Sequence, residues 1–197
     1  YFRREIDWNL RKLKIIVPGS VNFANRNFKE ITDCINNNQI IREKVEIVIA
    51  GGGKNRKDLE NEIQNLNLSN SFKFLKLNHL GWVEYDQYYE EISQSFACLP
   101  LSANKLYEKD KITSAIPTSI GFLIPAILPE SQKDQYRIPS YSYSNSTNLN
   151  EFLNSLIINK KNYKNSDMFD ALCDHLNKNI LENKNVFYKL LKKNSLL

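Results

Sequence analysis

The sequence predicts an α/β fold built on a doubly wound parallel sheet, and three observations predict it. Short apolar runs rich in β-branched residues alternate with segments whose apolar residues fall at helical spacing. Glycine-bearing turns close these runs at Gly19, at Gly51 to Gly53 and at Gly81. From about residue 148 onward the pattern changes to helical spacing alone.

The elements follow in order. LKIIV (13–17) reads as a strand ending at Pro18-Gly19, and FKEITDCI places Phe28, Ile31 and Ile35 on one helical face. VEIVIA (45–50) is a second strand, closed by three glycines and followed by a polar helix at 56–66 carrying Leu59, Ile63 and Leu66. FKFLKL (72–77) is a third, after which Gly81 precedes the aromatic helix YDQYYEEISQS, and FACLPL (96–101) is a fourth. A short helix and the strand IPAIL (124–128) come next. Helical positions then recur at Phe152, Leu153, Leu156 and Ile157, at Leu172, Leu176 and Ile180, and at Val186, Phe187 and Leu190; these helices are expected to cover one face of the sheet and reach back across it. Strands joined by helices pair in parallel, because a parallel connection has to cross over the sheet. The expected architecture is therefore a Rossmann-like domain over 13–147 with C-terminal covering helices over 148–197. Residues 1–12 are expected to form an arm or linker from a domain that precedes this piece of chain. In such sheets ligands sit at the carboxyl ends of the strands, where all of these glycine turns fall.

Composition narrows the function. At 197 residues, 42% hydrophobic and 25% charged, the chain can bury a sizeable core. No apolar run reaches the roughly 18 residues that cross a bilayer, and YFRREIDWNL lacks the apolar segment of a secretory signal. The odd, widely spaced Cys34, Cys98 and Cys173 argue against a disulfide framework; with only His79 and His175 beside them they form no metal-ligand pattern. A soluble, cytoplasmic protein without a metal is expected. The formal charge of +5 is spread along the chain and forms no stripe, which speaks against nucleic acid and leaves a small polyanion or peripheral contact with an anionic membrane compatible. The frequent asparagines, as at Asn36 to Asn38 and in the triplet Asn145-Ser146-Thr147, read as compositional bias.

The stretch KITSAIPTSIGFLIPAIL (111–128) carries most of the chemistry. Lys111 to Ser114 form the polar start of a helix aimed into a strand, at the sheet's binding edge. Free N–H groups, the positive end of the helix dipole and the hydroxyls of Thr113 and Ser114 suit an anion such as a phosphate. Equally, Thr113 or Ser114 suits a simple helix cap, and the two roles are compatible. Gly121 marks the break before the next strand. Gly51 to Gly53 resembles a phosphate cradle but lacks the Gly-Lys-Ser/Thr ending of a P-loop, so it reads as a strand-end turn near the ligand.

Three segments in order, IIVPGSVNFANRNFKEI, then VEIVIAGGG with HLGWVEYDQYYEEISQSFACLPL, then KITSAIPTSIGFLIPAIL, resemble the C-terminal, donor-binding half of the nucleotide-sugar-dependent glycosyltransferases of the GT-B fold. The resemblance spans residues 13 to 130 and rests on the order of the segments. It implies that Gly19 and Ser20 let the backbone approach a donor diphosphate, that Arg26 offers it a bidentate charge, and that Gly81, Trp82 and Val83 lie beside the nucleotide base. It also implies that Lys111, Thr113, Ser114 and Ala115 form the diphosphate helix start. Read by themselves, Gly19 and Gly81 are also ordinary turn glycines, Arg26 a surface residue, Lys111 a solvated charge and Trp82 a core side chain.

The expected function is sugar transfer from a nucleotide-diphosphate sugar, this chain being the donor half. No cofactor is expected beyond that substrate, and the acceptor (glycan, lipid or protein) would be held by a preceding domain. The sequence departs from the family at its carboxylates. Retaining members place two glutamates eight positions apart around the last loop and helix; here Glu108 is unmatched and the second position falls near Pro117 or Thr118, so no catalytic residue is assigned. A non-catalytic, transferase-like binding or interaction module is the alternative.

Overall fold

The computed structural model describes residues 12–103, 113–159 and 167–193, the side chains of the last segment to residue 185. Fourteen elements follow in the described residues. They are β1 (Leu13–Pro18), α1 (Phe28–Asn36), α2 (Gln39–Lys44), β2 (Val45–Ala50), α3 (Arg56–Asn65), β3 (Phe72–Phe74) and α4 (Tyr85–Ser93). After them come β4 (Ala97–Cys98), α5 (Ala115–Gly121), β5 (Ala126–Pro129), α6 (Glu130–Tyr136), β6 (Ser140–Tyr143), α7 (Ser146–Ile158) and α8 (Asp167–Lys193). Every strand pairing is parallel, and the order is β3-β2-β1-β4-β5-β6.

That order is the doubly wound sheet expected from the alternation of strands and helices. β1 and β2 pair along six residues, from Leu13↔Val45 to Pro18↔Ala50, and both are buried nearly throughout. Central parallel strands are covered on both faces, so they read as unbroken apolar runs. Alternate side chains divide between two layers. Ile15, Val17, Ile47, Ile49 and Ile127 face α1, α2, α3 and α7, whereas Ile16, Val48, Cys98 and Ala126 face α4 and α5.

Where structure and expectation differ, the physical reasons are local. Of the C-terminal helices, α7 buries Leu149, Leu153 and Leu156 with α1 and α2, while α8 contacts α5 on the other face and buries Leu172. β6 escapes the pattern because its sequence, SYSY, alternates Ser with Tyr at the sheet edge. Tyr143 is nonetheless buried, its hydroxyl donating to Glu30 at 2.9 Å. The asparagine runs also do structural work. Asn38 accepts from Ile41 N at 3.1 Å to cap α2, and Asn145 accepts from Asn148 N at 2.9 Å to cap α7.

The break after α5 is not made by Gly121. Leu123 takes the left-handed conformation (φ 54°), Leu123 N bonds Ile120 O at 3.1 Å and Ile124 N bonds Ser119 O at 3.0 Å, which is a Schellman termination. Gly121 sits within the helix, and a Cβ built there meets nothing within 4 Å. Gly121→Ala is therefore expected to stabilise the protein by about 0.5 to 1 kcal/mol, read from urea unfolding; a loss of stability would return the hinge to Gly121.

Candidate binding site at the carboxyl edge

The chain turns back at β1. From β1 it moves out through β2 to β3, then α4 carries it across to β4 on β1's other side. The crevice between the carboxyl ends of β1 and β4 is thus the topological switch point, the place where open α/β sheets bind ligands.

Gly19 opens the turn after β1 at φ 88°, and a Cβ there would stand 2.6 Å from Nη2 of Arg26. The turn needs glycine for its left-handed backbone, and the guanidinium lies against it. Asn22 shapes the rest, its carbonyl accepting from Asn25 N and Arg26 N at 3.0 Å each. The backbone of Arg26 then forms a bridge with Ser102, just past β4, and Arg26 Nη1 donates to Pro100 O. Arg26 thereby spans the switch point. Leu101, between these contacts, is buried and left-handed (φ 54°), with its carbonyl accepting from Asn27 N at 2.9 Å.

The three glycines after β2 pack this edge backbone to backbone. A Cβ on Gly51 would overlap the Gly19 carbonyl, one on Gly52 the Gly81 carbonyl, and one on Gly53 the Val21 carbonyl and, at 2.7 Å, the Ser20 hydroxyl. Val21 N also bonds Gly52 O at 2.7 Å. The triglycine is therefore the joint between the loops after β1, β2 and β3. Sequence reasoning missed Arg56, whose charge is turned inward. Its Nη1 bonds Gly51 O at 2.9 Å, its Nη2 bonds Leu75 O at 2.8 Å and its Nε bonds Glu60 at 2.8 Å, which fixes the ends of β2 and β3.

The remaining expected residues fall as follows. Ser20 is exposed beside Gly53. Gly81 (φ 80°) lies in a turn held by Asn78, whose side-chain oxygen accepts from Leu80 N at 2.9 Å and Trp82 N at 3.1 Å. Trp82 is 68% exposed and so is no core residue, and Val83 is half-buried, paired with Leu77. Lys111 lies outside the described residues, as does Glu108. Thr113 and Ala115 are buried and Ser114 is exposed. Thr113 Oγ1 accepts from Ala115 N at 3.4 Å, and Thr113 N donates to the Tyr136 hydroxyl at 3.5 Å. The capping role goes loosely to Thr113, while the Ser114 N–H and hydroxyl have no partner among the described residues.

Behind the crevice, Thr118 donates to Ser114 O at 2.8 Å, and the Tyr88 phenol lies near it. Burial raises the Tyr88 phenol above its ordinary pKa, which the neighbouring Thr118 hydroxyl and the charge of Arg26 only partly offset. Cys98 lies at the floor, its thiol pushed up to about 12 by burial with Arg26 pulling the other way. It is a packed apolar side chain. Among the described residues no three His, Cys, Asp or Glu side chains gather as a metal site.

Another concavity, of about 910 Å³, lies at the opposite, amino edge and is lined by Lys12, Asn36, Arg42, Lys44 and Asn70. Lys12 and Arg42 there donate to the carbonyls of Asn70 and Asn67, tying down the turn before β3. The switch point, by contrast, combines a spanning guanidinium with close-packed backbone.

No family model and no curated protein matches the sequence. Solved structures do match the fold. The C-terminal domain of a glycosyl transferase group 1 family protein from Francisella tularensis superposes at TM-score 0.58 and 12% identity, covering 81% of this chain and 80% of that one. A pneumococcal O-GlcNAc transferase, solved with UDP and GlcNAc, matches at 0.55 and 14% over 93% of this chain and 36% of that. An α,α-trehalose 6-phosphate synthase from Burkholderia multivorans matches at 0.58 and 9%, over 94% and 44%. The chain spans less than half the length of the latter two. At these identities the likeness is one of fold: a Rossmann-like domain of the kind found as the C-terminal half of GT-B glycosyltransferases.

Proposed function

We propose that the crevice between β1 and β4 binds the diphosphate of a nucleotide-diphosphate sugar, and that this chain is the donor-binding half of a glycosyltransferase. One observation carries the reading: Arg26 is fixed across the switch point, its guanidinium lying on the left-handed Gly19 turn, where a diphosphate can approach main-chain N–H groups on one side and a fork of charged donors on the other. Ser114 adds an uncommitted N–H and hydroxyl across the crevice. The base would lie over the Gly81 turn, beside Trp82 and Val83. In transfer, the same charge would stabilise the departing nucleoside diphosphate, a role that needs no bound cation.

Calorimetry with UDP and GDP tests this. Binding of one or both is expected, weakening as salt rises because the contacts are charged, and unchanged by EDTA. No binding of either at millimolar concentration removes the reading, and a large loss on chelation removes the metal-free form of it.

A second reading, a non-catalytic binding module, is favoured by one feature. Near the place where retaining members carry their second carboxylate stand Pro117 and Thr118, neither an acid, and the Thr118 hydroxyl is already donated to Ser114 O. Nucleotide binding with no hydrolysis or transfer of a sugar, measured on a chain that includes any preceding domain, would favour it.

A further inference from the structure

The chain carries 27 Lys and Arg and a formal charge of +5, yet none of these residues occurs between Lys76 and Lys105. α4 lies in that interval, and its outer surface divides into two stripes. Tyr85 and Tyr89, one turn apart, are 73% and 46% exposed, with ring centroids 5.9 Å apart and planes inclined at 20°. Tyr89 stacks in turn on Phe122, beyond α5, at 5.6 Å and 23°, so a ladder of three rings joins the two helices. Beside it Asp86 and Glu90, also one turn apart, are exposed. Neither carboxylate has an ion-pair partner among the described residues. Leu80, in the turn leading to α4, extends the apolar surface at 66% exposed. Large exposed apolar side chains grouped on one surface mark interaction sites, and unpaired carboxylates beside them define the charge of what fits.

We propose that this face of α4 docks a cationic polypeptide segment that presents Lys or Arg at one-turn spacing. The carboxylates of Asp86 and Glu90 meet the charged heads, while the Tyr rings cover the aliphatic stems, an arrangement that suits long basic side chains. Anionic surfaces, whether lipid or nucleic acid, are repelled by the same carboxylates. The surface is separate from the crevice, to which α4 turns Tyr88.

The test uses the intact chain and a blocked amphipathic peptide of Leu, Ala and Lys with lysines one turn apart, with a twin carrying Glu for Lys. The lysine peptide is expected to bind, more weakly as salt rises, and the glutamate twin not to bind. The double variant Asp86→Asn with Glu90→Gln, which changes charge and little else, is expected to weaken binding by about tenfold with an unchanged melting temperature. Tyr85→Ser is expected to weaken it independently. The proposal is overturned by absence of binding, by equal affinity of the double variant, or by equal binding of the glutamate twin. Sedimentation showing a dimer of this chain that the same substitutions abolish, without peptide binding, overturns it in favour of a second copy. Stronger binding of a neutral oligosaccharide than of the lysine peptide overturns it in favour of a sugar platform.

Discussion

Replacing Arg26 by alanine is expected to weaken nucleoside diphosphate binding by about 1.5 to 3 kcal/mol, roughly tenfold to a hundredfold, the range for hydrogen bonds to a charged group. The guanidinium does two things at once. It gives the crevice its spanning positive charge, and through Pro100 O it anchors the segment after β4 against the turn after β1. Loss of that anchor should cost about 1 kcal/mol of stability as well. Arg26→Lys should restore little of the affinity, because an ammonium cannot donate as a fork to Pro100 O and a phosphate together. Calorimetry and thermal melting on the same three proteins separate the effects. Affinity unchanged in Arg26→Ala, with only stability reduced, would leave Arg26 as a structural clasp.

The second large effect lies away from the crevice, where Glu91 is buried on α4 and bonds both Lys14, at 3.2 Å, and Lys73. Lys14 also donates to Gln94 at 3.0 Å. Burial opposes ionisation of Glu91, but the two lysines outweigh it and hold the carboxyl below its ordinary pKa. Glu91→Gln leaves Lys14 mostly buried without its counter-charge. A cost of about 2 to 4 kcal/mol is expected at neutral pH, below the full value for a wholly buried pair because Lys73 is 40% exposed. A depressed folded pKa contributes stability above the unfolded carboxylate range, and that stability is lost as pH falls through the folded value. Urea unfolding at pH 7 and in acid should therefore show wild type and Glu91→Gln converging as pH falls. A gap that stays constant, or is absent at pH 7, would show that the network contributes nothing as an ion pair.

Much of this architecture can be read without coordinates, for reasons visible in particular residues. β1 and β2 are legible because both faces of each are covered, which leaves uninterrupted Ile and Val; Phe28, Ile31 and Ile35 are legible because α1 buries one face only. α2 and α6 are too short, at six and seven residues, to show a helical period, and β6 at the edge carries Ser where an inner strand carries Val. In the crevice, the glycine turns after β1, β2 and β3 announce themselves by composition. What each glycine meets does not, since the contacts of Gly51 with Gly19 and of Gly52 with Gly81 join loops distant in sequence. The two arginines are alike in sequence and differ only in what the fold gives them to bond: Arg56 spends its donors on strand ends, and Arg26 lies across the switch point. Leu123 carries no chemical mark of a left-handed residue, which is why Gly121 looked like the hinge.

The most direct test of the central claim is an amide chemical-shift titration of the isotope-labelled chain with UDP or GDP. Shifts should concentrate at Gly19, Ser20, the Gly51 to Gly53 turn, Gly81 and Ser114, and should be much reduced in Arg26→Ala. Saturating nucleotide that leaves those amides in place, or that instead moves Asn36, Arg42 and Asn70 at the amino edge, would contradict the account.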